Sequence, residues 1–187
     1  MFCSTNSGRR LIVGLAVVAI TLAANATIAS AKKAPAPRLK FGNACTMLTD
    51  AQIEKAFGAP IATRDVFLEM HSCTYTLEAD PAAPVGSFVA FQLAPDSFDS
   101  KSARFVVNDQ NSIETLSEHA LTEVFKVGKF AYFNETLKKI VVLASGKFAF
   151  ELAWRPAPAG TPLGDQDRVQ LEKLAKLVVK RSTRAKG

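Results

Sequence analysis

The fold is decided by residues 130–154, which read FAYFNETLKKIVVLASGKFAFELAW. This stretch contains three apolar runs separated by short segments of polar or small residues. The segments have the length of loops that join neighbouring antiparallel strands. These runs occupy residues 130–134, 139–143 and 147–154. Four large side chains of the last run fall on one face of the strand, because successive side chains of a strand point to opposite faces: Phe148, Phe150, Leu152 and Trp154. We therefore expect an antiparallel sheet with one face buried beneath a large covering layer.

Helices are expected on both sides of this segment in the sequence. Residues 156–162 are rich in proline and should break the sheet, and a final helix should then run from about residue 164 to 181. Its covering stripe is formed by Leu171, Leu174, Leu177 and Val178. Thr49 and Gln52 form a capping box for a first helix that ends at Gly58. Helices on one side of an antiparallel sheet, contributed by the N-terminal and C-terminal parts of the chain, predict a single-domain α+β sandwich.

The segment between the first helix and the sheet carries weaker signals. Extended segments are expected at residues 73–77 and 87–93, with a proline-bounded loop between them. Asp96 is placed to cap a second helix over residues 97–108, with a loop through Asn111 after it. The inward face of that helix is predicted to consist of Phe98, Ser102, Phe105 and Val106.

Residues 1–31 have the three parts of a removable export signal. Arg9 and Arg10 form the basic region, residues 11–24 form an apolar run, and Ala-Ser-Ala at residues 29–31 forms a small-x-small cleavage site. The apolar run, at about 14 residues, is shorter than the roughly 20 that a membrane-spanning helix needs. The sequence therefore predicts a mature chain without a transmembrane segment, located in the periplasm or outside the cell.

Composition then divides the chain into four regions. After the cleaved signal peptide at 1–31 we expect a Lys/Pro/Ala tether at 32–40, an α+β domain at 41–181 and a basic tail at 182–187. The chain has 23 basic and 17 acidic residues, and two of the basic ones lie in the signal, so the mature net charge would be +4. Such a mild balance in an exported protein argues against a nucleic-acid partner.

Two cysteines, Cys45 and Cys73, remain after the signal is removed. In an oxidising compartment two cysteines in one small domain most often pair. A redox or zinc site is the alternative, but no Cys-x-x-Cys spacing is present to support it. We expect a structural disulfide that ties the first helix to the first core strand, and no cofactor or metal.

Several of these segments resemble the DUF3558-type exported proteins of bacteria. The similarity is carried by CTMLT at residues 45–49 before a helix that ends in Gly58, CTY at 73–75, VGKFAY at 127–132, and a closing helix rich in Leu and Ala. The chain departs from the family pattern at Met47, where Leu is usual, and at Lys129 and Phe130, where Gly-Asp is usual. The resemblance covers residues 41–181 and implies an α/β sandwich similar to Mog1 and PsbP. It implies little about activity, because the family is mostly uncharacterised.

Candidate catalytic residues are few. His119 follows Ser117 and Glu118, but the sequence has no Gly-x-Ser-x-Gly motif that would expose a catalytic serine. His71 lies two residues before Cys73, and these two residues could bind a metal together only if Cys73 were a free thiol. We interpret both histidines as surface or loop residues. Four acidic residues fall in the first turns or caps of predicted helices, where they stabilise the helix dipole rather than serve as acid and base: Asp96, Asp99, Asp165 and Asp167.

These observations favour a non-catalytic binding or interaction module of the cell envelope. The alternative is an unrecognised periplasmic hydrolase that uses His71 or His119. A possible contact with an anionic surface is formed by Lys173, Lys176, Lys180, Arg181 and Arg184, although a solvated helix face would look the same. The ligand expected from this polarity is an amphiphile with an acidic head, held in the apolar interior under the helices, or an anionic envelope polymer.

Overall fold

The structure, a computed structural model, describes residues 39–69, 71–80, 83–94, 100–145 and 147–184. Several predictions fall outside this part of the chain, namely those on the export signal at 1–31, on nearly all of the tether at 32–40, on Asp96, Phe98 and Asp99, and on residues 185–187. Among the described helices, none is both long enough and apolar enough to cross a membrane.

In the described part of the chain seven antiparallel strands form one sheet. They are β1 (Ile61–Phe67), β2 (Ser72–Asp80), β3 (Ala83–Ala94), β4 (Leu121–Glu123), β5 (Phe130–Asn134), β6 (Lys139–Ser145) and β7 (Phe148–Pro156). The spatial order is β1-β2-β3-β7-β6-β5-β4, so a meander of three strands and a meander of four meet where β3 pairs with β7. The three strands predicted from residues 130–154 are confirmed, as are the two extended segments now seen as β2 and β3.

Two strands of the sheet are not predicted by the sequence. β1 is an edge strand, and after Ile61 all of its residues are exposed, so it has no apolar alternation to reveal it. β4 forms the other edge and is three residues long. An edge strand pairs with only one neighbour and is more exposed than a central strand. Its sequence therefore shows less of the apolar and polar alternation by which strands are predicted.

The first face of the sheet is covered by the helices near the two ends of the described chain. Helix α1 (Asp50–Phe57) has the predicted capping box at Thr49 and Gln52 and ends at Gly58, whose φ of +72° lies in the left-handed region. Phe57 stacks on Trp154 of β7 with ring centroids 3.9 Å apart. These two rings are therefore in direct contact between α1 and the sheet. The interior in which we expected an apolar ligand is filled by side chains at this point.

Helix α3 (Asp165–Arg184) lies on the same face and buries Leu171, Leu174 and Val178, as predicted. Leu177, predicted to share that stripe, is instead 37% exposed. The helix also continues to Arg184, so residues 182–184 belong to it and not to a tail.

Helix α2 (Ser100–Leu116) lies on the opposite face, which corrects the prediction that the helices share one side. It packs Ala103 and Val107 against Tyr132, Val141 and other residues of the central strands. The predicted inward face is wrong, since Phe105 is 69% exposed, and the predicted loop through Asn111 is helical. Small residues at Ala103 and Val107 bring the helix close to the sheet, and aromatic rings in their place would hold it away.

The predicted disulfide between Cys45 and Cys73 is confirmed. The two Cα atoms are 5.2 Å apart, and Cys73 is fully buried in β2. Cys45 lies in a short 3₁₀ turn, Ala44–Thr46, and not in α1 itself. The bond therefore fixes the segment that precedes α1 to the core of the sheet.

Loss of this bond should destabilise the fold by about 3–4 kcal/mol, because it closes a loop of 28 residues in sequence separation and limits the unfolded chain. Urea unfolding of the oxidised and reduced wild-type protein would measure the difference with no change of side chain. Equal unfolding midpoints, or free thiols at both positions in the protein purified without reductant, would contradict this account.

Candidate functional site

A cleft of about 370 Å³ opens on the sheet face that carries α2. The face follows from strand alternation, because Glu151, Ala153 and Arg155 alternate along β7 with the buried Leu152 and Trp154 of the first face. The lining residues come from β3, from the turn between β5 and β6 and the first residue of β6, from β7, and from the segment after it: Val89, Thr136, Leu137, Lys138, Lys139, Glu151, Ala153, Arg155, Pro156, Ala159 and Gly160. Sequence patterns do not predict a cleft at this place.

Three neighbouring strands form the floor of the cleft. Val89 of β3 pairs with Ala153 of β7, and Ala153 pairs with Lys139 of β6, so these three residues form one row across the sheet. Ala153 is small, which leaves space above the row. α2 covers the part of this face around Tyr132 and Leu143, and it meets the row at Lys139, whose ammonium pairs with Glu114 of the helix.

Backbone hydrogen bonds hold the walls in place. The Trp154 N–H donates to the Lys138 carbonyl at 3.1 Å, which ties the turn between β5 and β6 to β7. The Ala157 N–H donates to the Val85 carbonyl at 3.0 Å, which ties the segment after β7 to β3. The Lys138 ammonium donates to the Thr161 carbonyl across the same side. The cleft is therefore formed before any ligand arrives.

A buried ionic cluster separates the cleft from α2. The Lys139 Nζ lies 2.9 Å from the Glu114 Oε1 of α2 and 2.8 Å from the Glu151 Oε2 of β7. Lys139 is 7% exposed and Glu114 is 2% exposed, so this charge and its partner from the helix are largely out of water. One lysine thus joins the covering helix to the strand beneath it.

Amide side chains complete the hydrogen bonding of Glu114. Asn134 Nδ2 donates to the Glu114 Oε2 at 2.8 Å, and Gln110 Nε2 donates to the Glu114 Oε1 at 2.7 Å. Asn134 Nδ2 also lies 3.1 Å from the Nδ1 of His119, which makes that ring nitrogen the acceptor.

The protonation states of the cluster follow from these contacts. Burial alone would raise the pKa of Glu114, but the hydrogen bonds from Gln110, Asn134 and Lys139 together with the Lys139 charge lower it. Burial alone would lower the pKa of Lys139, but the charges and hydrogen bonds of Glu151 and Glu114 raise it. Both groups are held in their charged forms at neutral pH.

Tyr132 is the neighbour that the cluster leaves unbonded. Its hydroxyl is buried, and no atom in the described part of the chain meets hydrogen-bond geometry with it. Burial, followed by the nearby Glu114 charge, raises the pKa of this phenol far above its ordinary value. Tyr132 is therefore a neutral side chain that supports α2 by packing.

Neither histidine side chain has a hydrogen bond to a serine or cysteine among the described residues. His119 contacts Asn134, and the Nδ1 of His71 is buried with no hydrogen-bond partner among the described residues. Cys73 near His71 is in the disulfide, so it offers no thiol. Within the described ranges no three His, Cys, Asp or Glu residues come close enough to hold a metal ion.

The predicted helix-capping role of Asp165 and Asp167 fits the structure. Both lie in the first turn of α3, and the Asp167 Oδ2 accepts the Gly164 N–H at 3.0 Å. Neither residue takes part in the cleft.

The basic residues of α3 divide into two groups. Lys173, Lys176, Lys180 and Arg184 are exposed and recur at the spacing of one helical stripe, which we call the basic stripe. Within the described chain none of these four has an ion pair. Arg181 is half-buried and donates to the Gln52 Oε1 of α1 at 3.4 Å, so the structure separates it from the other four.

No protein-family model, curated protein or solved structure matches the chain. The resemblance to DUF3558-type proteins therefore stays a prediction.

Replacing Lys139 with Met should cost about 3–5 kcal/mol of folding free energy at pH 7, because Glu114 and Glu151 would lose the charge between them. The pKa of Glu114 is lowered in the folded protein, so this group stabilises the wild type at pH values above 4.5, the ordinary pKa of glutamate. That stabilisation is lost as pH falls through the lowered pKa. In the variant Glu114 lacks its cation and takes up a proton as pH falls, so the cost of Lys139→Met should shrink towards pH 4.

Urea unfolding at several pH values measures this effect. Lys147→Met removes an exposed lysine from the turn before β7 and serves as the matched control. A cost for Lys139→Met that is independent of pH, or one no larger than the control, would rule out the ionic account of the cluster.

Proposed function

We propose that the mature chain is a non-catalytic binding module of the bacterial cell envelope, exported to the periplasm or beyond, that rests on an anionic lipid surface through α3. The observation that carries the proposal is the basic stripe of Lys173, Lys176, Lys180 and Arg184, which has no ion pair within the described chain. The expected export signal and the disulfide support the compartment.

The geometry of the stripe suits an extended anionic partner. Eleven residues separate Lys173 from Arg184, so at 1.5 Å per residue the stripe is about 16 Å long. The nearest acidic residue of the helix, Glu172, is paired with Arg168. The stripe thus presents charge of a single sign along one line of the surface.

Two apolar side chains favour a lipid surface over a soluble polymer. Val169 is 41% exposed and Leu177 is 37% exposed, and both fall on the basic stripe at helical spacing. On an anionic bilayer the cations would contact headgroups while these two side chains reach the apolar boundary, as in interfacial helices. A polymer in solution would use the charges and leave the apolar atoms in water.

The hydrolase alternative is not proposed, because in the described chain neither histidine side chain is hydrogen-bonded to a serine, and Cys73 is held in the disulfide. The ring nitrogen of His119 that faces the protein is already engaged by Asn134.

Replacing Lys173, Lys176 and Lys180 with Glu should weaken binding to vesicles that contain about one-third phosphatidylglycerol by roughly 100-fold or more, at about 1 kcal/mol for each basic residue removed near such a surface. Vesicle sedimentation at low salt measures the affinity. Wild-type binding should also fall steeply as salt rises, since these exposed charges are screened, and the variant should respond less.

The matched control replaces Lys126, Lys129 and Lys147, three exposed lysines outside α3, with Glu and changes the net charge equally. Arg181 is left intact because it packs against α1. Equal loss in the control, or no binding to anionic vesicles at low salt, would contradict the proposal, and binding to soluble polyglutamate without vesicle binding would identify a polymer partner instead.

A further inference from the structure

We infer that the cleft beside α2 binds a small amphiphile with one anionic head, placing the head at Arg155 and Lys138 and the apolar part along Val89 and Ala153. This site uses no residue of the basic stripe and is independent of the function proposed above. It also relocates the ligand that the sequence favours, from the packed interior under α1 and α3 to the opposite face of the sheet.

The charge of the cleft favours an anion. Glu151 is the one carboxylate that lines it, and its Oε2 is bound to Lys139 at 2.8 Å. Lys139 is shared with Glu114, so these three groups together carry one negative charge, and Lys138 and Arg155 bring the sum around the cleft to +1. Lys138 and Arg155 are the cations that remain to meet a ligand.

Arg155 is the residue best placed to bind the head. It is exposed near the end of β7, on the floor of the cleft, and it has no ion pair among the described residues. A guanidinium offers a planar pair of donors that matches a carboxylate in a bidentate arrangement. Lys138 approaches from the wall, where its ammonium is positioned by the Thr161 carbonyl.

The apolar lining favours an alkyl chain beside that head. Val89 and Ala153 lie side by side on the floor, and Leu137 and Pro156 stand in the walls. Leu137 is 43% exposed, so its side chain is available to cover a ligand. A volume of about 370 Å³ is near the lower end of small-molecule sites, which suits a medium-length chain and excludes a whole diacyl lipid.

Sodium octanoate is the probe that tests this site, with octanol and sodium acetate as its two halves. Titration of the ¹⁵N-labelled mature protein should give saturable shifts of the backbone amides of residues 136–139 and 153–155. Octanol should bind at least tenfold more weakly than octanoate because it lacks the charge, and acetate should not saturate in the same range because it lacks the chain. Shifts confined to α1 and α3, or no saturation by octanoate, would overturn the inference.

Two variants locate the head. Arg155→Gln should weaken octanoate binding at least tenfold, with Arg104→Gln, an exposed arginine of α2, as the control. Ala159→Glu adds a negative charge at an exposed position in the wall and should also weaken binding, whereas Ala51→Glu on α1 should not. Equal affinity in Arg155→Gln and wild type would refute the assignment, and thermal unfolding of each variant checks that the fold is intact.

The two tests separate the two proposals. Vesicle binding depends on Lys173, Lys176 and Lys180, and octanoate binding depends on Arg155 and the wall of the cleft. Loss of vesicle binding in the α3 variant with octanoate affinity unchanged is the expected pattern, so either proposal can fail while the other stands.

Discussion

The pairing of β3 with β7 is the contact on which the rest of the structure depends. Every other strand pair joins neighbours in the sequence, whereas this one brings Phe88 opposite Trp154. Close approach is needed at its end, because a Cβ on Gly86 would lie 2.6 Å from the carbonyl oxygen of Arg155. Pairing β3 with β7 brings together segments that are far apart in the sequence, which costs conformational entropy. Burial of aromatic rings on the first face, where Phe57 stacks on Trp154, offsets this cost.

The same pairing determines where α2 must lie. The chain leaves β3 in the middle of the sheet and must return at β4, the far edge, so α2 crosses the second face between them. A single helix covers only part of that face. At the margin of the cover the polar side chains of Glu114, Lys139 and Glu151 meet, and beyond it the sheet stays open as the cleft. A buried cluster of this kind adds little net stability, and it makes one position of α2 preferable to others.

Sequence patterns predict those parts of the fold that depend on interactions between residues close in the sequence. Capping at Thr49, the alternation in β7 and the apolar stripe of α3 need only neighbouring residues, and each is found in the structure. The predicted buried face of α2 is wrong because a large apolar residue such as Phe105 is expected to be buried. The face that packs on the sheet is instead the one with small residues, where Ala103 lets the helix approach closely.

The cleft was beyond sequence reasoning for a related reason. It is the space that α2 leaves uncovered, so it depends on the path of the whole chain. One signal could have pointed to it. Lys139 and Glu151 are charges inside otherwise apolar strands, and a hairpin between β6 and β7 brings their side chains to the same face. Charges of opposite sign at such positions indicate a polar region on a face that would otherwise be core.

The basic stripe and the cleft belong to opposite sides of the sheet. α3 packs its buried stripe on the first face and turns Lys173, Lys176 and Lys180 away from it, while Arg155 lies on the second face. A flat surface that meets α3 is therefore separated from the cleft by the thickness of a helix layer, roughly 10 Å, and of the sheet itself. The cleft would stay open to solution while α3 rests on a bilayer. Its ligand would then arrive from the aqueous side, which agrees with a volume suited to a monomeric amphiphile and too small for a bilayer lipid.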